Sequence, residues 1–368
     1  MDNCDLSCIN GDLISKAIRM LKPQKKDAIF DSVSDMYREG PQELSHHLTI
    51  IIRSMFSHGI VPSFLLLCTL TPIVKDSLGD MTASSNYHAI AGGSLLIKLF
   101  DLIVLHLEDN KLKFDDLQMA YQKGSGTTVC TWMATTVINH FNNRGRPVYG
   151  ASMDMTKAFD MVDWGQMFEV LRKRRIKSVL IRLLLYIYKN QICQVKWGNC
   201  NSSKFTVNNG VTQGAVSSAI FFALYIEELI TILRRAKLGC EINGLFYGII
   251  IYADDILLLS GSRNGLQSMV DLSFSFAKRR NLTFSIHEDP NKSKTKCIVF
   301  QKKKTPDPKK ITLNGKALPW VSQLKYLGSI LQSENSMALD IAQKRGIFIG
   351  AVNSLLQEFY YVNPEIFH

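Results

Sequence analysis

Residues 250–260 read IIYADDILLLS. Two apolar runs, Ile250-Ile251 and Ile256 to Leu259, flank the tetrad Tyr252-Ala253-Asp254-Asp255. Apolar runs bounded by a polar turn spell the two strands of a hairpin. This hairpin carries adjacent carboxylates at its tip, at the edge of an apolar core, where unpaired charge is strongly penalised. A divalent cation relieves that penalty, and hard cations such as Mg²⁺ prefer carboxylate oxygens. Asp-Asp is also common in ordinary hairpin turns, so the pair gains meaning only from the residues upstream.

A third carboxylate stands about a hundred residues earlier. Residues 147–155 (PVYGASMDM) read as a strand, and Asp154 ends its apolar part. If Asp154 lies beside the hairpin tip, three carboxylates converge. A shared acidic cluster of that kind can hold two Mg²⁺ ions about 4 Å apart. In such sites one ion lowers the pKa of an attacking hydroxyl and the other holds the phosphates and the leaving oxygen. The aspartates then act as ligands and need not donate protons.

The chain has 368 residues, 46% of them hydrophobic, enough for a substantial core and more than one subdomain. Its net charge of +11 and pI of about 9.2 favour a polyanionic partner. Eight cysteines are scattered without CxxC spacing, which predicts reduced thiols in an intracellular protein. The His46-His47 pair lacks the companions of a metal motif. Residues 1–10 carry Asp2 and Asp5 and no apolar leader. The greasy segments 94–107 and 219–233 are interrupted by Lys98, Asp101, Glu227 and Glu228, which predicts that neither spans a membrane.

Helical spacing predicts helices over 11–22, 41–58 (ending near Gly59), 92–109, 129–142, 164–175, 178–191, 216–237, 263–280 and 336–358. Ser125 or Thr127 is the expected cap of the 129–142 helix. Strands are expected at 64–76 with a break at Pro72, at 147–155, at 282–287, 296–301, 311–313 and 324–331. A hairpin is expected over 193–209, with the central one in 240–260. The Pro-containing 302–310 run reads as a basic linker. Strands and helices mix without strict βαβ alternation, which favours an α+β fold.

With these blocks in order, a family resemblance emerges. DMTKAFD (154–160) followed by YADD resembles motifs A and C of reverse transcriptases. NNGVTQGAVSSAIFFALYIEEL (208–229) is similar to motif B of the non-LTR, LINE-type retrotransposon enzymes. LTPIVKD and SSNYHAIAGGSLLIKLFD resemble their fingers, and 118–128 the block before motif A. NKSKTKCIVF (291–300) looks like motif D and QLKYLGSIL (323–331) like the primer grip. The similarity runs from about residue 12 to the end.

The resemblance implies a right-hand polymerase: fingers over 1–146, a palm with an antiparallel sheet and interleaved fingers segments over 147–335, and the start of a thumb over 336–368. It implies an RNA-directed DNA polymerase that uses two Mg²⁺, an RNA template, a DNA primer and dNTPs, with no membrane. Asp154, Asp254 and Asp255 match the metal-binding triad, and the Met155 carbonyl would be a further ligand. Phe159 falls on the steric gate, where a bulky ring leaves no room for the 2′-OH that separates RNA from DNA. Gln213 would contact the nascent base pair or template, and Gly214 would permit close backbone approach. Lys75 matches the lysine that reaches the triphosphate. Lys294 best matches the motif D lysine that could protonate leaving pyrophosphate, with Lys292 as competitor.

Four departures stand out. His88 replaces the fingers arginine that grips triphosphate, and an imidazole is a poor substitute. Thr212 and Ala219 replace an arginine and a proline in motif B, and Ala120 stands where glycine is common. These changes imply weakened activity or, as the alternative, an impaired remnant that still binds RNA. The basic segments 172–177, 278–280 and 302–310 are candidate nucleic-acid contacts. The chain is expected to be part of a longer retroelement polyprotein, acting in nucleus or cytoplasm as a ribonucleoprotein.

Overall fold

The computed structural model describes residues 6–212, 214–287, 289, 292–301, 309–334 and 336–359. The chain divides into two compact units, each built from discontinuous segments. One comprises 1–115, 157–228 and 277–282; the other comprises 116–156, 229–276 and 283–368.

The second unit holds the central hairpin. Its strands Ile249–Tyr252 and Asp255–Ser260 are joined by a tight turn at Ala253-Asp254. They extend into a four-stranded antiparallel sheet, in the order Lys296–Phe300, Val148–Asp154, Asp255–Ser260, Ile249–Tyr252. Ile256, Leu257, Leu258 and Leu259 are all fully buried, so both faces of their strand are covered. That explains an unbroken apolar run where a half-exposed strand would alternate. On one face Leu257, Leu259 and Ile250 pack with Cys130, Ala134, Val137 and Ile138 of the helix Thr127–Asn142. Leu324, Tyr326 and Leu331, from the hairpin Gln323–Tyr326/Ser329–Gln332, join the same core.

The first unit packs the helix Gly11–Met20 against Gln42–His58 and Leu95–Glu108. Asn10 caps the first of these by accepting the Leu13 N–H at 3.0 Å. Gln42–His58 ends where Gly59 turns to φ +67°, as the sequence suggests. A five-stranded sheet lies in this unit, with Tyr87–Gly92 antiparallel and Ile192–Trp197 parallel to Leu67–Val74.

Several expectations are corrected. The strand Leu67–Val74 does not break at Pro72, which pairs with Ala89 within the ladder. Neither Ser125 nor Thr127 caps the 127–142 helix; Gly126 is its N-cap, without a side-chain bond. Residues 282–287 form no strand and contribute one bridge, Phe284 to Met155. The 193–209 region is a broken pairing of Ile192–Trp197 with Cys200–Asn201 and with Phe205–Thr206. The helix Val216–Ala236 has 21 residues and is long and apolar enough to cross a membrane by length and composition, contrary to the interruption argument. Its Phe221 to Ile226 are buried within the protein, the pattern of a core helix. Residues 302–308 of the basic linker lie outside the described residues.

Leu257→Ala should test the importance of the central strand. Emptying a fully buried position there is expected to cost about 2–5 kcal/mol, read as a lowered urea midpoint.

Candidate active site

Asp154 ends its strand directly opposite Asp255, the first residue of the neighbouring strand. Paired residues share one face of a sheet. The backbone of Asp154 turns away from that neighbour. Its carbonyl accepts the Ser285 N–H at 2.7 Å and its N–H donates to Thr295 Oγ1 at 3.3 Å. Asp154 and Asp255 are therefore a non-hydrogen-bonded pair, the kind whose Cα atoms approach to about 4.5 Å. Asp254 sits in the turn beside them.

The charges interact. Burial, reinforced by the Asp254 and Asp154 carboxylates and opposed by Lys294, pushes the Asp255 carboxyl up to about 6. Burial also raises Asp154, Lys294 lowers it, and Asp254 raises it. Lys294 Nζ lies 3.9 Å from Asp154 Oδ2 and is largely exposed. Among the described residues it is the lysine paired with Asp154.

Met155 follows the pair. Thr156 N–H donates to Thr283 at 2.9 Å, and the Asp154 carbonyl is taken by Ser285. Met155 thus bridges Phe284 in a position where its own carbonyl points away from 283–285, towards the hairpin side of the strand.

Among the described residues, no three His, Cys, Asp or Glu side chains are already gathered as a cation cage. The donor set fits a hard divalent ion all the same. It consists of carboxylate oxygens with a backbone carbonyl, and the aspartates repel one another in a way that a bound cation would relieve.

The other expected residues belong to the first unit. Phe159 is half-buried, and its ring stacks on Phe222 at 4.5 Å and 22°. Its carbonyl accepts the Val211 N–H at 2.8 Å, so it anchors the stretch before Gly214. Gly214 has φ +116°, and a Cβ there would lie 2.5 Å from the Ala91 carbonyl oxygen. Only glycine suits that position. Gln213 lies outside the described residues. Lys75 follows the strand Leu67–Val74, and its N–H donates to the Asn86 carbonyl at 2.8 Å. His88 pairs with Ile73, two residues before Lys75, which follows the end of the strand. Thr212 Oγ1 lies 3.2 Å from Ser218 Oγ, which is 3.3 Å from the Tyr188 hydroxyl.

Two of the basic segments are partly engaged inside the protein. Arg174 pairs with Glu227, and Arg280 pairs with Glu228 while lying 4.9 Å over the Tyr225 ring. Arg172 pairs with Glu169 at 2.8 Å. Sequence reasoning also missed Thr295 and Gln118. Both are fully buried and bond the backbone of Asp154 and Ala253 respectively. The only sequence signal was their place inside the two blocks that flank the acidic residues.

The Asp255 carboxyl binds its proton more tightly in the folded chain than in the unfolded one, where its pKa is near 3.8. Its contribution to stability is therefore present below pH 3.8 and is lost as pH rises through about 6. In EDTA, Asp255→Asn should raise the melting temperature at pH 7 relative to the unsubstituted chain. The gain should shrink towards pH 4, as thermal unfolding across that range would show.

Comparison with known proteins agrees with this architecture. Residues 80–331, more than half of the chain, match the family described as reverse transcriptase (RNA-dependent DNA polymerase). The chain is 23% identical over 224 residues to the Pol polyprotein of the type-2 retrotransposable element R2DM of Drosophila melanogaster, covering 59% of this chain and 21% of that protein. It is 26% identical over 328 residues to the RNA-directed DNA polymerase from mobile element jockey of Drosophila funebris, covering 86% and 34%. The chain thus spans about a third or less of the curated relatives it matches. Among solved structures, apo telomerase from Candida tropicalis, truncated from its C-terminal domain, superposes with a TM-score of 0.51 at 14% identity, covering 84% of this chain and 62% of that one. The fold is that of the α+β right-hand polymerases, and the chain belongs to the reverse transcriptase family, on the side of the non-LTR retrotransposon elements.

Proposed function

We propose that the chain is an RNA-directed DNA polymerase that extends a primer 3′-OH with dNTPs on the RNA of a retroelement. One observation carries this reading beyond family membership: Asp154 and Asp255 are direct cross-strand partners with Asp254 beside them. In this reading Asp154, Asp254, Asp255 and the Met155 carbonyl hold two Mg²⁺. Bound there, the ions would supply an activated hydroxyl and neutralise developing phosphate charge.

The remaining roles fall to the chain's own groups. Lys294, whose Nζ lies 3.9 Å from Asp154 Oδ2, tempers the charge there and would give a proton to departing pyrophosphate. The Phe159 ring, backed by Phe222, excludes a 2′-OH. Lys75 grips the triphosphate. Gly214 lets the backbone come close, and Gln213 contacts the nascent base pair or template. Residues 1–146 serve as fingers, 147–335 as palm with fingers segments, and 336–368 as the start of a thumb. The polymerase works inside the cell, in nucleus or cytoplasm, with its RNA.

A second reading has one observation in its favour. His88 stands opposite Ile73, two residues before Lys75, where an arginine would add a fixed charge for the triphosphate. An impaired chain that binds RNA without copying it would follow from that loss.

Primer extension on an RNA template with dNTPs and Mg²⁺ separates the two. Asp254→Asn should lower extension by about a hundredfold or more, since an essential ligand is lost. His88→Arg should raise extension by lowering the KM for dNTPs. Equal extension by the unsubstituted chain and Asp254→Asn would sink the polymerase reading. RNA binding without any extension would favour the remnant.

A further inference from the structure

The stretch 117–119 runs beside the outer hairpin strand. Met119 N–H donates to the Ile251 carbonyl at 2.8 Å, and Ile251 N–H donates to the Leu117 carbonyl at 2.8 Å. These bonds add a short parallel segment to the edge of the sheet, with Gln118 in register with Ile251. They also close an edge that would otherwise expose unpaired backbone groups.

The same register delivers one side chain to the acidic turn. Gln118 is fully buried, and its Oε1 accepts the Ala253 N–H at 3.2 Å and the Ala120 N–H at 3.3 Å. Gln122 Nε2 donates back to the Gln118 carbonyl at 2.5 Å. Ala253 is the residue that needs help. It has φ +55°, a left-handed conformation disfavoured for any residue with a Cβ. It stands between the end of one strand and Asp254.

Half of the Gln118 amide does no bonding. Among the described residues its Nε2 is buried without a hydrogen-bond partner, an unfavourable state. Methionine or leucine would fill similar space without an orphaned donor. The presence of an amide there is explained by its oxygen, which satisfies the strained turn. Tyr121, itself at φ +61°, lies close enough to the turn that the Asp254 carboxylate, after burial, pushes its phenol above the ordinary range. The whole 117–122 stretch therefore wraps the tip of the hairpin.

We propose that Gln118 is a positioning residue: by bonding the Ala253 amide it holds the left-handed turn that presents Asp254 and Asp255 beside Asp154. Its consequence for catalysis rests on the polymerase reading above. Its consequence for the turn does not.

Two measurements on the full chain test it. Hydrogen–deuterium exchange of a peptide covering 250–256 reports the Ala253 amide, and primer extension reports kcat and the KM for dNTPs. Gln118→Met keeps the bulk and removes the acceptor. It should speed exchange at that amide and lower kcat about tenfold, with KM unchanged. Gln118→Glu keeps an accepting oxygen and should stay nearer the unsubstituted chain in both. In a Gln118→Met background, Ala253→Gly should recover part of kcat, because glycine adopts φ > 0 unaided.

Unchanged exchange in Gln118→Met would overturn the proposal. So would faster exchange with unchanged kcat in a chain whose extension depends on Asp254. A kcat loss that Ala253→Gly does not relieve would mark Gln118 as mere packing. If the unsubstituted chain fails to extend, or Asp254→Asn extends equally well, the polymerase reading falls. Exchange alone then decides whether Gln118 holds the turn.

Discussion

The second unit depends on one register. Side chains alternate along a strand, so a slip of one residue between Val148–Asp154 and Asp255–Ser260 would send Asp154 to the opposite face from Asp255. The apolar residues prevent the slip. Met153 and Ala151 are buried opposite Ile256 and Leu258, which are buried as well. On the other side of Val148–Asp154 the contact with Lys296–Phe300 is equally close, since a Cβ at Gly150 would lie 3.0 Å from Phe300 and 3.2 Å from Ile298. Hydrophobic packing thus fixes where the acids stand, although the acids contribute nothing to that packing.

The register that brings the acids together also sets like charges side by side. Lys294 offsets this only in part, because an exposed lysine at 3.9 Å is well screened by water. Burial first, and then the remaining repulsion, raise the Asp255 carboxyl. A divalent cation bound there would relieve that repulsion.

The first unit uses its polar groups differently. Asp101 is buried and pushed up to about 6 by desolvation, and it accepts from Ser217 Oγ at 2.8 Å. It thereby ties the helix Leu95–Glu108 to the start of Val216–Ala236, just after Gly214. The Thr212–Ser218–Tyr188 hydroxyl chain lies beside it, so the threonine found in place of an arginine has a structural use. Arg174 and Arg280 are likewise spent on Glu227 and Glu228. A net charge of +11 indicates a polyanionic partner but does not say which cations face it.

The sequence by itself determined the hairpin, its acidic tip, the strand that ends in Asp154 and most helix spans. These follow from local rules: period, apolar run length and turn chemistry act over a few residues. Gly59 ended its helix for the same local reason. The tertiary structure alone decided that Leu67–Val74 lies parallel to Ile192–Trp197, that Pro72 sits inside a ladder, and that Gly126 begins its helix without a side-chain cap. It alone brought the Gln118 amide to Ala253, 135 residues away, and Thr295 to Asp154, 141 residues away. No local pattern encodes such partners, because they are chosen by the packing of buried strands and are visible only once those strands have met.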